Sequence, residues 1–196
     1  MKSDTLNQRS VEIELKLALP TLQPASLAKR LAQTPALARR KATHQQLHNV
    51  YYDTPEQTLR KQQVALRIRR IGSEAKPQWL QTLKMGGSND SALSQRGEWE
   101  APVPSAALDV ATLNATPWSG IDPDGTVFQA LAPCFVTSFE RTSWLVRRRG
   151  GSVVEVALDI GQIVAGNKQT PIRELEFERK ADEPAALFEL AQQIAQ

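Results

Sequence analysis

Hydrophobic and polar residues alternate strictly along residues 11–17, whose sequence is VEIELKL. The apolar residues are Val11, Ile13, Leu15 and Leu17, and the residues between them are Glu12, Glu14 and Lys16. Because successive side chains of a β-strand point to opposite faces, this period of two predicts a strand with one apolar and one charged face. For a single strand, a charged face in contact with solvent is the ordinary interpretation.

The same alternation recurs in four later segments, and this repetition favours a different interpretation. The segments are VALRIRR, RGEWE, VVEVALD and IRELEFE, and each places charges two residues apart. Strands that each carry one charged face could line a shared polar interior. A closed antiparallel barrel brings such faces together without leaving an unpaired edge.

Turn residues and apolar spacing predict the remaining elements. We expect a single domain over 10–196 after a disordered lead-in over 1–9. In the first half of the chain, the predicted elements are a helix over 24–34, a strand ending at Asp53 and Thr54, a short helix from Thr54 through Lys61, strands over 64–71 and 77–85, and a mobile loop MGGSNDSALSQ. The region 102–133 is predicted to contain one or two short helices, best over Thr126–Leu131. The predicted elements that follow are strands over 136–149 and 153–165, joined by a turn at Gly150 and Gly151, a strand over 171–179, and a last helix with Asp182 as its N-cap and Leu187, Leu190 and Ile194 facing inward.

Length and composition bound the function further. A chain of 196 residues suits one sizeable domain, and no apolar run approaches membrane-spanning length. The single cysteine, Cys134, excludes an internal disulfide and favours a cytoplasmic location; beside Phe135 it is predicted to fill the core. His44 and His48 cannot form a zinc site with one distant cysteine, so surface positions are expected for both.

The charge distribution is more informative than the net charge of +3. The chain has 24 basic and 21 acidic residues, and the acids lie among the bases along the predicted strands. Such a mixture would repel a plain phosphate backbone, so we expect neither a nucleic-acid partner nor a membrane partner. It instead favours a site in which metal ions and basic groups bind a polyphosphate together.

The charged faces define the candidate site residues. The acidic ones are Glu12, Glu14, Glu98, Glu100, Glu155, Asp159, Glu174, Glu176 and Glu178, and the basic ones are Lys16, Arg67, Arg69, Lys84, Arg96 and Arg141. Crowded carboxylates repel one another unless a cation lies among them, and hard oxygen ligands suit Mg²⁺ or Mn²⁺. For the adjacent arginines, a solvated face and a fork that grips phosphate oxygens are both open interpretations. The sequence has no arrangement typical of a catalytic nucleophile, which leaves attack by water on a metal-bound phosphate.

The ExExK pattern at Glu12, Glu14 and Lys16 resembles the signature of the CYTH superfamily, the triphosphate tunnel metalloenzymes. The resemblance continues through NVYYDTP, ALRIR, TLK, RGEWE, VEVALDIGQIVAG and ELEFE, and so covers nearly all of 10–196. It implies an α+β fold in which a closed eight-stranded antiparallel β-barrel, the triphosphate tunnel, has helices packed outside. Family members include thiamine triphosphatase, class IV adenylate cyclase, RNA triphosphatases and bacterial inorganic triphosphatases.

The resemblance also implies roles for the candidate residues. Glu14, Glu174 and Glu176 are similar to ligands of the principal metal, and Glu12 to a residue that holds a second metal or positions the attacking water. Glu12, Glu14 and Lys16 are therefore the expected catalytic residues. The expected phosphate-binding residues are Lys16, Arg67, Arg69, Lys84, Arg96 and Arg141. The remaining acidic lining is Glu98, Glu100, Glu155 and Asp159, any of which could contact metal, whereas Glu178 is expected near the tunnel mouth.

The segment ALDIGQIVAG before PIRELEFE is similar to the branch that hydrolyses inorganic triphosphate to diphosphate and phosphate. Members of that branch often continue into a helical, histidine-rich CHAD domain. The uncapped last helix suggests a chain trimmed at this domain boundary. The alternatives are an adenylate cyclase, a nucleoside or thiamine triphosphatase, and a non-catalytic polyphosphate-binding module. Trp79 and Trp99 could stack on a base, although packing is the simpler role for both.

Overall fold

The structure, a computed structural model, describes residues 10–19, 24–86, 92–148, 151–181 and 185–195. Eight antiparallel strands form a closed barrel and the helices pack outside it, which confirms the predicted fold class. The strands are β1 (Ser10–Ala18), β2 (Ala42–Asp53), β3 (Val64–Ile71), β4 (Gln78–Met85), β5 (Leu93–Val103), β6 (Ala132–Arg147), β7 (Val153–Ala165) and β8 (Lys168–Ala181). The helices are α1 (Pro24–Gln33), α2 (Thr58–Lys61), α3 (Val110–Asn114), α4 (Thr126–Ala130) and α5 (Ala185–Ala195), with a 3-10 helix at Pro117–Gly120.

The order of strands around the barrel is β1-β5-β4-β3-β2-β6-β7-β8, and β8 closes the barrel by pairing with β1. Register places charged residues of neighbouring strands side by side: Lys16 pairs with Glu176 and Lys84 with Glu98. Residues that pair directly across two antiparallel strands point to the same face of the sheet. The period of two seen in the sequence therefore directs the charged side chains of many strands into one interior.

The apolar faces of the strands point outward and are covered by helices in two clusters. Helices α1 and α5 cover β1, β7 and β8, where Leu31, Phe177 and Leu187 are buried. Helices α2, α3 and α4 and the 3-10 helix cover β3 and β4, where Leu66 and Trp118 are buried. The hydrophobic core thus lies between barrel and helices, and this arrangement frees the barrel interior for polar side chains.

Side-chain hydrogen bonds fix the short helices of the connection between β5 and β6. The buried Gln81 side chain on β4 donates to the Asp109 carbonyl at 2.9 Å and accepts from the Asp109 backbone N–H at 2.8 Å. Asp109 in turn caps α3 by accepting from the backbone N–H of Thr112 at 2.6 Å. Asp122 accepts from the N–H groups of Val127 and Phe128 in α4, each at 2.9 Å.

Several sequence predictions need correction. The short helix after β2 begins at Thr58, because Gln57 adopts a left-handed conformation (φ 59°) that ends the preceding turn. The connection 102–133 contains two α-helices, as predicted, one of them at Thr126–Ala130, but also a 3-10 helix that the prediction lacked. Cys134 is exposed and does not fill the core. His44 is exposed as expected, whereas His48 is half-buried and bonds Ser138 at 2.9 Å.

Other predictions fall outside the described residues: the lead-in 1–9, most of the loop between β4 and β5, Gly150 of the β6–β7 turn, and the cap Asp182. Within the described chain, the inward positions of Leu187, Leu190 and Ile194 on α5 are confirmed. No described helix has the length and apolar character needed to cross a membrane.

Candidate active site

The barrel interior encloses a cavity of about 470 Å³. Every charged residue singled out from the sequence lines it: Glu12, Glu14, Lys16, Arg67, Arg69, Lys84, Arg96, Glu98, Glu100, Arg141, Glu155, Asp159, Glu174, Glu176 and Glu178. Six basic side chains of that set therefore face nine carboxylates across one enclosed space. Neither Trp79 nor Trp99 lines this cavity, and Trp99 packs in the second apolar cluster.

The two glutamates of β1 lie in contrasting environments. Lys84 Nζ donates to both carboxylate oxygens of Glu12 at 2.7 Å. Burial alone would raise the pKa of Glu12, but the nearby positive charges, chiefly Lys84, lower it overall. Glu14 accepts from Arg96 Nη2 at 2.9 Å, but burial and the neighbouring carboxylates of Glu12 and Glu176 raise its pKa. One carboxylate is thus held ionised, and the other is poised to take up a proton or a cation.

Glu176 on β8 is the most strongly paired carboxylate of the cavity. Lys16 Nζ lies 2.7 Å from Glu176 and 3.3 Å from Glu174, and Arg141 contacts both Glu176 and Asp159. Burial raises the pKa of Glu176, but Arg141 and Lys16 together lower it to about 2. Burial also lowers the pKa of Lys16, and Glu176 and Glu14 reverse this to a raised value. Glu176 and Lys16 therefore remain charged at neutral pH.

The wall formed by β2 and β3 has the opposite balance. Arg69 donates to Asn49 Oδ1 at 2.8 Å, and no carboxylate oxygen of the described chain lies within 4.0 Å of its guanidinium nitrogens. Burial, Arg67 and Arg141 lower the pKa of Arg69 to about 10. Arg67 lies 3.9 Å from Glu98 and 3.8 Å from Glu100. Buried Arg67 and half-buried Arg69 thus lie on one wall, where Arg69 has no carboxylate partner among the described residues and keeps capacity for an anion.

Several polar residues in and beside the cavity were not identified from the sequence. Tyr51 and Asn49 on β2, Thr82 on β4 and Lys180 on β8 position the charged groups. The Tyr51 hydroxyl accepts from Arg67 Nη1 at 3.3 Å, and its ring stacks on Phe135 with centroids 4.4 Å apart. Tyr51 and Asn49 belong to a period-two set on β2. This set mixes aromatic and uncharged polar residues, so the charge alternation that identified the other strands is missing there.

The donor set suits a hard divalent cation. Among the described residues no three carboxylates are close enough together to form a ready-made metal cluster, because lysine and arginine occupy their oxygens. The chemistry of the lining nevertheless fits: every acidic ligand offers carboxylate oxygen, and the raised pKa of Glu14 reflects burial and repulsion from Glu12 and Glu176. A divalent cation beside Glu14 and Glu176 would relieve that repulsion.

Comparisons with known proteins agree with this geometry. The profile of the CYTH domain matches residues 10–196. An inorganic triphosphatase of Haemophilus influenzae is 36% identical over 186 residues, which are 93% of this chain and 49% of that protein. The chain thus spans about half the length of this curated relative.

Two solved structures share the fold. A candidate adenylate cyclase from Bacillus halodurans is 18% identical with a TM-score of 0.58, and the match covers 95% of this chain and 91% of the other. A candidate adenylyl cyclase from Hippeastrum, described as having a dominant triphosphatase activity, is 20% identical with a TM-score of 0.55 over 92% of this chain and 84% of the other. Profile, relative and fold agree on one conclusion: the chain belongs to the CYTH domain family.

Proposed function

We propose that this domain hydrolyses inorganic triphosphate to diphosphate and phosphate with the help of a divalent cation. The observation that carries the proposal is Arg69, which faces the barrel cavity beside Arg67 and has no carboxylate within 4.0 Å among the described residues. A multiply charged phosphate chain fits beside Arg67 and Arg69, since guanidinium groups bind phosphate oxygens through paired hydrogen bonds. The 36% identity to the Haemophilus influenzae triphosphatase supports the same substrate.

The residues take two sets of roles in this proposal. The phosphate-binding set is Lys16, Arg67, Arg69, Lys84, Arg96 and Arg141. The carboxylates proposed to hold metal are Glu14, Glu174 and Glu176 for a principal Mg²⁺ or Mn²⁺, with Glu12, Glu98, Glu100, Glu155 and Asp159 as the remaining acidic lining. When bound, such an ion polarises the phosphoryl group and balances the charge that develops on its oxygens.

The chain's own groups would carry out the positioning and the proton transfer. Glu12, kept ionised by Lys84, can accept a hydrogen bond from a water molecule. This bond would orient the water toward a phosphate bound by Arg67 and Arg69. Glu14 lies on the same strand face and would be held by the cation, so Glu12 would take the proton that this water loses. Lys16 and Arg141 stabilise the negative charge that the departing diphosphate gains.

A substrate panel tests this proposal against the alternatives. Phosphate release from inorganic triphosphate, ATP and thiamine triphosphate is measured side by side with Mg²⁺, with Mn²⁺ and with a chelator, and cyclic AMP is assayed in the ATP reactions. We expect metal-dependent release mainly from inorganic triphosphate. Faster turnover of ATP or thiamine triphosphate would replace the substrate assignment, and cyclic AMP formation would indicate a cyclase.

Matched variants locate the reaction in the barrel. Glu176→Gln removes a cavity carboxylate, and Glu140→Gln makes the same change at an exposed position of β6. We expect Glu176→Gln to lower the rate of phosphate release by at least about 100-fold and Glu140→Gln to leave it unchanged. Tight binding of triphosphate without any release by the wild-type chain would indicate a binding module instead. A cytoplasmic location and a following helical domain stay predictions.

A further inference from the structure

A second basic site lies outside the barrel, in a cleft of about 500 Å³. It is bounded by the turn 34–40, the end of β6 and helix α5. Four arginines surround it, Arg39, Arg40, Arg147 and Arg148, and we call it the arginine cleft. Its floor is aliphatic, with buried Val146 and Leu190.

The positive charge of the arginine cleft is largely unbalanced. Arg148 Nη2 lies 3.0 Å from the exposed Glu189, and this is the one ion pair formed by these four arginines among the described residues. Arg40 Nη2 donates only to the Arg147 carbonyl, at 3.4 Å. Arg148 Nη1 is buried and finds no hydrogen-bond partner within the described part of the chain. Gathering four guanidinium groups around one cleft costs repulsive free energy that a bound anion would relieve.

The chemistry of the lining favours a phosphate chain. Guanidinium groups match phosphate oxygens in geometry and charge, and several groups on one rim can grip successive phosphates. No aromatic side chain lines the described cleft, so it lacks the stacking surface that proteins use to bind single-stranded nucleic acid. We propose that the arginine cleft binds inorganic polyphosphate at a site separate from the barrel cavity.

A charge-reversal variant tests this second site. Binding of long-chain inorganic polyphosphate is measured by calorimetry, with chelator present and in the Arg69→Met background, so that neither turnover nor the barrel arginines dominate the signal. The test variant is Arg39→Glu/Arg40→Glu/Arg147→Glu. The matched control, Lys61→Glu/Lys76→Glu/Lys168→Glu, changes the net charge equally at three other exposed positions.

We expect the arginine variant to weaken polyphosphate binding by roughly tenfold or more, the effect of losing one or two charge-assisted contacts, and the lysine control to weaken it much less. Both triple variants, made in the chain with Arg69 intact, should hydrolyse triphosphate at the wild-type rate, which also shows that they fold. The neutral variant Arg39→Gln/Arg147→Gln provides a milder test if charge reversal unfolds the chain.

Three results would overturn the proposal. Equal loss in the arginine variant and the lysine control would indicate only general attraction to a basic protein. Unchanged binding in the arginine variant would place the polyphosphate elsewhere. A single-stranded oligonucleotide that binds the cleft more tightly than polyphosphate, and loses affinity in the arginine variant, would make nucleic acid the ligand.

Discussion

Arg69 is a half-buried cation with no carboxylate of the described chain within 4.0 Å to balance its charge. Desolvation and the neighbouring guanidinium groups of Arg67 and Arg141 lower its pKa from its ordinary value to about 10. A basic group whose pKa is lowered by folding destabilises the folded state at neutral pH, and this cost diminishes only as pH rises above 10. A residue kept at such a cost is expected to serve binding.

We therefore predict that Arg69→Met weakens triphosphate binding by roughly 100-fold, since it removes charge-assisted hydrogen bonds. The free energy of unfolding without ligand should change by no more than about 1 kcal/mol, because relief of repulsion offsets the lost bond to Asn49. Calorimetry and urea unfolding measure the two effects.

Arg70→Met is the matched control, because Arg70 points to the opposite face of β3 and pairs with the exposed Glu74 at 3.0 Å. It should leave triphosphate affinity unchanged. Strong destabilisation by Arg69→Met together with unaltered affinity would mean that Arg69 is a structural residue.

Glu176 has a pKa that folding lowers from 4.5 to about 2, so its contribution to stability has the opposite pH dependence. Stability from this group is fully present above pH 4.5 and is lost as pH falls toward 2. The contribution is on the order of 3 kcal/mol at neutral pH. Glu14 and Asp159 have pKa values that folding raises, so they lower stability at neutral pH. This cost diminishes as pH falls.

Comparison with Glu176→Gln isolates this one group. In the presence of chelator, we predict that the free energy of unfolding of the wild-type chain exceeds that of the variant above pH 4.5, and that the gap narrows as pH falls toward 2. Urea titrations at several pH values measure the gap. A gap that stays constant across this range would show that Glu176 is not held ionised by Arg141 and Lys16.

At the scale of the elements, close contact between β6 and β7 depends on a glycine. A Cβ atom at Gly161 would lie 2.1 Å from the Ser138 carbonyl oxygen and 2.4 Å from Phe139 Cβ. The Phe139 ring in turn lies under Arg141, with 5.8 Å between the guanidinium carbon and the ring centroid. The packing of two strands thus reaches directly to Arg141, which is proposed to bind phosphate.

Gly161→Ala should lower the free energy of unfolding by about 3 kcal/mol, because backbone atoms must move to admit the methyl group. Thermal or urea unfolding measures the loss. Gly120→Ala is the control, since a Cβ there meets nothing within 4 Å. Equal stability of the two variants would mean that β6 and β7 pack less closely at this point.

The sequence predicted most strands well because a closed barrel with a charged interior places charged residues at alternate positions of many strands. The strands that carry Glu12, Arg67, Glu155 and Glu176 all show this alternation. The prediction placed α4 almost correctly but gave no position for α3, because five residues contain too little periodicity. Distant or capping contacts from Gln81, Asp109 and Asp122 stabilise them instead.

At the scale of the whole molecule, the barrel separates two environments: charged groups inside and an apolar core between strands and helices outside. Alternation could identify which charges share the interior, and it did so for every candidate residue. It could not reveal how they pair, since the partnership of Lys84 with Glu12 spans 72 residues and depends on barrel closure. The exposure of Cys134 likewise depends on where β6 begins, which its apolar neighbour does not show.

Because Arg69 has no carboxylate within 4.0 Å among the described residues, we predict that an anion stabilises the whole barrel even without metal. Triphosphate added with chelator should raise the melting temperature, and at a concentration about 100 times its Kd should add about 2.7 kcal/mol to the free energy of unfolding. Diphosphate should stabilise less. Differential scanning calorimetry provides the measurement. An unchanged melting temperature with triphosphate would mean that Arg67 and Arg69 bind triphosphate only when metal is present.

The most direct test of the central claim is a crystal structure of the chain with a non-hydrolysable imido analogue of triphosphate. We predict that the analogue lies inside the barrel, with phosphate oxygens hydrogen-bonded to Arg67 and Arg69 and with the carboxylates of Glu14 and Glu176 facing the chain from the opposite wall. An analogue bound outside the barrel, with Arg69 still lacking an anionic partner, would contradict the proposed active site.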